Sequence, residues 1–262
     1  MSKQILMLRH LRDALSFFCR LFKGSAENEA AWQDCVPYFF LAGLVFGAIL
    51  LGLSIFLSSY LCLSLPASWQ ALFFGLIWLG LEIWLSRALH FDGLADLTDA
   101  LGAVTGGGDF WQVLRDSRLG SFGCSALILV IIGQWLLVSA HAFLGHYLII
   151  LLAPAWSRSS PLWLAYRLTS HPSSKLGRLV TEAQAQKPSC QVLYHGLFLL
   201  LPPILALYLG QFGLLLLWPS QYFLLKFLRN QASLRGGLAG DFFGAAIELS
   251  QLIFLLTTLS RI

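Results

Sequence analysis

The chain has 262 residues, of which 57% are hydrophobic, 14% aromatic and only 11% charged, against the roughly 25% charged residues of ordinary soluble domains. With a mean hydropathy of +0.73 and no polar stretch long enough to fold by itself, the composition excludes a soluble enzyme. It predicts one all-α, polytopic membrane domain over residues 1–262. The net charge of +4 is too small to signal nucleic-acid binding, and no nucleic-acid partner is expected.

Residues 1–36 form an amphipathic segment, with Lys3, Arg9, Arg12, Arg20 and Lys23 around a stripe of Leu8, Leu11, Leu15, Phe18 and Phe22. This pattern fits a helix lying on an anionic leaflet of the bilayer, and an ordinary basic cytoplasmic tail fits as well. No cleavable signal peptide is expected, since the first 23 residues lack a continuous apolar core. The five cysteines (Cys19, Cys35, Cys62, Cys124, Cys190) include no CxxC pair and suit neither a disulfide framework nor a zinc site.

Apolar runs follow at residues 38–63, 69–89, 122–143, 147–166, 192–209, 212–228 and 242–259, which predicts about seven spans. Most approach the ~20 residues that cross a ~30 Å hydrocarbon core. Trp69, Tyr147, Trp163, Tyr166, Trp218 and Tyr222 stand near their ends, as in an aromatic belt. The connections at 62–68, 144–146 and 210–211 hold almost no charge. The alternate connections hold Arg115 and Arg118, then Arg167, Lys175, Arg178 and Lys187, then Arg229 and Arg235. That alternation predicts a cytoplasmic amino terminus, and it puts Asp92, Asp96, Asp99, Asp116 and Asp241 on the cytoplasmic side.

In so apolar a chain the acidic cluster Asp92, Asp96 and Asp99 stands out. Four- and three-residue spacing projects all three carboxylates from one helix face. Oxygen-only ligands in that pattern suit a hard divalent cation, Mg²⁺ above all, and a solvated acidic face is the plain alternative. Gly93 and nearby alanines allow close approach by a neighbouring helix or a phosphate. The glycine tract at 106–108 reads as a loop. Beyond it, Arg115 and Arg118 flank Asp116 and Ser117 and are suited to hold phosphate oxygens, although membrane-anchoring charges would look similar. Arg158 lies within an apolar run and calls for a polar cavity or an acidic partner. Lys175 belongs to the following cytoplasmic loop, where it could touch substrate or anionic lipid. Asp241, Gly244, Ala245 and Glu248 share a helix face, with Glu248 about two turns into the membrane. Glu82 is a further intramembrane carboxylate, and His90 is the histidine close to Asp92.

With those residues in view, the chain resembles the cobalamin synthase family, the adenosylcobinamide-GDP ribazoletransferases. The resemblance rests on HFDGLADLTD at 90–99, RDSRLG at 115–120 and GDFFGAAIE at 240–248. Weaker support comes from LSFFCR at 15–20 and GLVFG at 43–47. Two departures stand out: Ser86-Arg87 replaces the usual Thr-Gly, and Ala100 replaces a glycine.

The resemblance implies a multi-pass enzyme of the bacterial cytoplasmic membrane. It would join adenosylcobinamide-GDP to α-ribazole or its 5′-phosphate with loss of GMP. It further implies that Asp92, Asp96 and Asp99 bind Mg²⁺ and that Asp99 or Asp116 accepts the hydroxyl proton. His90, Gly93, Arg115, Ser117, Arg118, Arg158, Lys175, Asp241 and Glu248 would contact substrate or phosphate. A homo-oligomer, or association with other enzymes of corrinoid assembly, is a further expectation. Two competitors remain at this point: a CDP-alcohol-type membrane phosphotransferase, and an ion-coupled transporter using Glu82, Arg158 and Glu248.

Overall fold

The computed structural model describes residues 3–24, 29–61, 64–105 and 109–259, and these are helical with no strand among them. Cys62 and the glycine tract at 106–108 lie outside the described residues. The amino-terminal segment forms α1 (Lys3–Phe18) and α2 (Glu29–Cys35). Six long helices follow: α3 (Phe39–Leu61), α4 (Ala67–Ser86), α7 (Ser121–Phe143), α8 (Tyr147–Ala165), α10 (Pro188–Leu209) and α12 (Gly240–Leu259). Between them come α5 (Leu89–Thr105), α6 (Phe110–Leu114), α9 (Lys175–Gln186) and α11 (Leu217–Leu234), the last preceded by a 3₁₀ turn.

Among the described residues five helical segments are long and apolar enough to cross a membrane: Trp32–Leu61, Ala67–Ser86, Ser121–Phe143, Ser189–Leu209 and Gly240–Leu259. These make the chain a polytopic membrane protein. The two further predicted spans, 147–166 and 212–228, fall in α8 and in the 3₁₀ turn with α11, and neither is among the five. For α8 the reason is physical. It carries Arg158, three serines, Pro154 and Pro161, yet every residue from Ala153 to Ala165 is buried among other helices. A helix enclosed by protein needs no lipid-soluble surface.

Helix α3 packs on α8 through the GxxxG pair Gly43 and Gly47. A Cβ on Gly43 would lie 2.6 Å from the Pro154 carbonyl oxygen, and one on Gly47 would strike that of Leu151. Small residues at this spacing let two backbones approach closely where lipid offers no hydrophobic drive between helices.

The amphipathic stripe of α1 is used differently from the prediction. Leu8 is exposed, but Ala14, Leu15 and Phe18 enter the protein core, and the Phe18 ring meets Phe39 at 4.9 Å and His90 at 5.7 Å. The second half of the stripe therefore covers protein rather than membrane surface.

Because the long helices alternate in direction, α1, α5, α6 and α9 gather at one end of the bundle with the 235–239 turn. Arg20 N–H donates to the Leu85 carbonyl at 2.8 Å, Arg115 reaches Ser173 Oγ at 2.9 Å, and His171 N–H donates to the Leu238 carbonyl at 2.9 Å.

Within the bundle a polar chain crosses four helices. Arg158 and Glu82 pair at 3.3 Å, with both side chains buried. Gln251 Nε2 donates to both Glu82 oxygens (3.0 and 2.8 Å) and to Gln134 Oε1 (3.1 Å), and Gln134 donates to Glu248 at 2.9 Å. The acidic partner that Arg158 required is thus Glu82 on α4, a residue 76 positions away. Removing one member of a buried ion pair strands the other charge at a cost of about 3–5 kcal/mol. Arg158→Met is therefore expected to lower the melting temperature of detergent-purified protein sharply. The double change Glu82→Met with Arg158→Met should restore most of the loss. An unchanged melting temperature for the single variant would contradict this role.

Candidate active site

The acidic stretch folds as α5 because its apolar residues recur at helical spacing: Phe91, Leu94, Ala95 and Leu97 are buried, while the carboxylates occupy the other face. Asp92 is exposed, and Asp96 and Asp99 are half-buried. The helix is preceded by a sharp break, where Arg87 (φ 61°) and Ala88 (φ 55°) both adopt the left-handed conformation. L-residues pay roughly 1–2 kcal/mol each there. This is the place where Ser86-Arg87 departs from the expected Thr-Gly. The Arg87 guanidinium ties the break to α1 by donating to the Ser16 carbonyl at 3.0 Å.

Helix α12 crosses α5 with almost no space between the backbones. A Cβ on Gly93 would sit 3.1 Å from Asp241 Cα and 3.2 Å from its carbonyl oxygen, and one on Gly244 would sit 2.9 Å from the His90 carbonyl oxygen. The crossing brings Asp241 into the field of the α5 carboxylates. Burial first, then the charges of Asp92, Asp241 and Asp99, push Asp96 up to about 6. Among the described residues no lysine or arginine forms an ion pair with Asp92, Asp96, Asp99 or Asp241. The result is an uncompensated patch of negative charge.

Asp99 has a separate task. Its two oxygens accept the backbone N–H groups of Gly120 (2.7 Å) and Gly123 (2.8 Å), which caps the first turn of α7. Its carboxylate therefore anchors the 115–120 loop to α5, a setting that disfavours its predicted role as proton acceptor.

In that loop Arg118 forms a forked pair with Asp116, Nη2 to Oδ2 at 2.6 Å and Nε to both oxygens at 3.0 Å. These hydrogen bonds hold the Asp116 carboxyl below its usual range, which weakens it as the proton acceptor that the resemblance implies for Asp99 or Asp116. Asp99, Asp116, Arg118 and the Gly120–Phe122 turn line a cavity of about 420 Å³. Arg115 and Ser117 are exposed on the same loop. Lys175 is also exposed, at the first turn of α9 behind its Ser174 cap.

Three predicted contact residues lie elsewhere. Arg158 and Glu248 are enclosed in the buried polar chain. His90 is 2% exposed beside Phe17 and Phe18, and burial followed by the charges of Arg158 and Arg87 holds its pKa well below the usual range. A neutral, enclosed imidazole does not offer a phosphate a cation. Ser173, which meets Arg115, and His171, which stacks on Trp111 at 3.7 Å, were not singled out in the sequence. They lie more than 50 residues along the chain from their partners, and no local pattern marks them.

The donor set fits a hard cation by its chemistry: carboxylate oxygens, partly exposed and without counter-ions. No group of three His, Cys, Asp or Glu side chains among the described residues is drawn together as a closed ligand cage. Mg²⁺ does not require one, since it takes one or two carboxylates and completes its shell with water and substrate phosphate.

The cobalamin-5-phosphate synthase family matches residues 10–259. The chain belongs to that family. An adenosylcobinamide-GDP ribazoletransferase of Nitratidesulfovibrio vulgaris (strain DSM 19637 / Miyazaki F) is 31% identical over 259 residues, 96% of this chain and 95% of that protein. One from strain DP4 is 32% identical, covering 92% and 93%. One from Shigella flexneri is 33% identical over 172 residues, 65% of this chain and 68% of its own length. No solved structure matches the chain.

For this cobalamin-5-phosphate synthase family member, the crowding at Asp96 predicts a stability–function conflict. Its folded pKa of about 6 lies above the ordinary 3.8, so the charged form destabilises the native state above about pH 6 when no cation is present. In EDTA at pH 8, Asp96→Asn is expected to melt higher than the wild type. The difference should shrink as pH falls through 6 toward 3.8. A variant that melts lower at pH 8 and gains nothing from the lost charge would contradict the crowding.

Proposed function

We propose that this chain transfers the adenosylcobinamide-phosphate part of adenosylcobinamide-GDP to a hydroxyl of α-ribazole or its 5′-phosphate, forming adenosylcobalamin or its 5′-phosphate and releasing GMP. The observation that carries the reading is the uncompensated carboxylate patch at the α5–α12 crossing, found in a member of this family. Phosphoryl transfer asks little covalent chemistry of the protein. It asks that two anionic reactants be held in line and that their charge be neutralised.

Asp92 and Asp96 would hold Mg²⁺, with Asp241 supporting them across the helix crossing. When bound, that ion supplies charge neutralisation for the diphosphate and for the departing GMP. The chain's own residues do the positioning. Asp99 fixes the 115–120 loop against α5, so that Arg118 lines the adjoining cavity and Arg115 stands exposed on the same loop. Both arginines suit phosphate oxygens, and Arg118 becomes available when a phosphate competes with Asp116 for its fork. Ser117 and Lys175 add donors at the same end of the bundle. Arg158 and Glu248 act at one remove by holding α4, α7, α8 and α12 together. The positive-inside pattern supports a site that faces the cytoplasm in the bacterial cytoplasmic membrane.

The test is reconstitution in liposomes with adenosylcobinamide-GDP, α-ribazole 5′-phosphate and Mg²⁺, followed for GMP and the joined corrinoid. Both products are expected, and EDTA should remove both. Asp92→Asn should cut turnover by at least ~100-fold with normal protein levels in the membrane, as loss of a metal ligand does. CMP release from a CDP-linked donor, with no GMP from adenosylcobinamide-GDP, would overturn the reading. So would near-normal turnover in Asp92→Asn.

A further inference from the structure

A groove of about 510 Å³ opens between α8, α10 and α11, at the same end of the bundle as the carboxylates but built from different helices. Its floor is aromatic: Trp163 and Phe198 meet edge to face at 5.3 Å, and Tyr222 closes one side. Its rim is cationic, with Arg167, Lys226 and Arg229 joined by His195, and no aspartate or glutamate among the described residues lines it. Among the described residues none of the three strong cations has a carboxylate partner.

The details sharpen this picture. Arg229 is half-buried in the groove, and among the described residues its hydrogen bonds run only to the Trp163 and Leu164 carbonyls, both at a long 3.4 Å. A half-desolvated guanidinium with so little satisfaction is costly unless an anion completes it. Arg167 adopts a left-handed backbone conformation (φ 55°), and its guanidinium lies over the Tyr166 ring at 5.1 Å. Lys226 lies over Tyr222 at 5.9 Å. Tyr222 in turn stands beside Phe223 (5.8 Å), which is 65% exposed on the outer face of α11. The groove thus joins a cationic mouth to an exposed apolar flank.

We propose that this groove binds the phosphate headgroup of an anionic phospholipid, with Arg167, Lys226 and Arg229 on the phosphate and the acyl chains along the outer face of α11. A basic pocket between membrane helices, on the end that bears the positive loops, meets the anionic leaflet where such headgroups lie. Tyr222 and Phe223 are exposed along α11 beside the cationic rim, so a ligand with an anionic head and apolar chains is matched at both ends, which a water-soluble phosphate is not. The inference is independent of the transferase reading.

The test measures lipid retention by native mass spectrometry, and affinity by titrating short-chain phosphatidylglycerol or phosphatidylcholine into purified full-length protein. Phosphatidylglycerol is expected to be retained and phosphatidylcholine lost. At about one surface cation's worth of attraction each, Lys226→Gln should weaken phosphatidylglycerol about fivefold, and Arg167→Gln with Arg229→Gln about thirtyfold. If the double variant fails to fold, Lys226→Gln and Arg167→Gln alter exposed side chains and carry the test alone. Equal retention of both lipids, or unchanged affinity in the single variants, would overturn the proposal. A soluble probe separates the sources. If α-ribazole 5′-phosphate binds with the same dependence on these arginines and the lipid does not displace it, the occupant is a phosphorylated nucleoside and the lipid assignment fails.

Discussion

Helices α5 and α12 touch backbone to backbone at Gly93 and Gly244, and the arrangement of the acidic site depends on that contact. A Cβ at either position would meet main-chain atoms, at 3.1 Å from Asp241 Cα for Gly93 and 2.9 Å from the His90 carbonyl oxygen for Gly244, so the backbones would have to give by a few tenths of an ångström. The crossing carries Asp241 toward Asp96 and turns an acidic helix face into a patch spanning two helices. Like charges held this way raise the energy of the folded protein. A cation and an anionic substrate together relieve that energy, so the strain becomes part of the binding. Stability is given up at one point of the fold so that a charged complex can form there.

The rest of the bundle holds this strained point in register. Arg158, Glu82, Gln251, Gln134 and Glu248 are linked in one buried chain that fastens α4, α7, α8 and α12. In a hydrocarbon surround, packing between helices gains little from exclusion of water, so interhelical hydrogen bonds and close glycine contacts carry more of the specificity. α12 takes part in both devices. It meets α5 at Gly244 and the polar chain at Glu248 and Gln251, one to two turns apart. A shift of α12 would therefore be felt at Asp241 directly. Asp99 plays a comparable part on the other side, where its two amide hydrogen bonds tie the start of α7 to the end of α5.

Much of this was legible in the sequence. The HFDGLADLTD stretch announces an amphipathic helix with its carboxylates on one face, and α5 is that helix. The need of Arg158 for an acidic partner followed from its place in an apolar run, but Glu82 could not be named, because the pairing joins two helices far apart in the chain. The α8 run reads as a span, yet it is not among the five segments marked by length and apolarity, because α8 carries Arg158 and three serines and is walled in by protein. The stripe of α1 was visible, but a stripe does not say whether protein or membrane covers it, and Phe18 packs on Phe39. At Asp99 and Asp116, residue type and spacing pointed to chemistry. Their actual partners, two loop amides and Arg118, are set by the turn geometry of residues 115–120.

The most direct measurement of the α5–α12 contact is Mn²⁺ binding, with Mn²⁺ standing in for Mg²⁺, followed by electron paramagnetic resonance on protein in nanodiscs. Wild type and Gly93→Ala would be compared. A methyl group at Gly93 would lie 3.1 Å from Asp241 Cα, so α12 must give by a few tenths of an ångström beside the carboxylates. The close crossing predicts a tightly bound Mn²⁺ in the wild type and at least ~10-fold weaker binding in Gly93→Ala, which keeps every carboxylate but shifts their spacing. Equal Mn²⁺ affinity in a folded Gly93→Ala protein would contradict it, because the carboxylates would then assemble without the crossing.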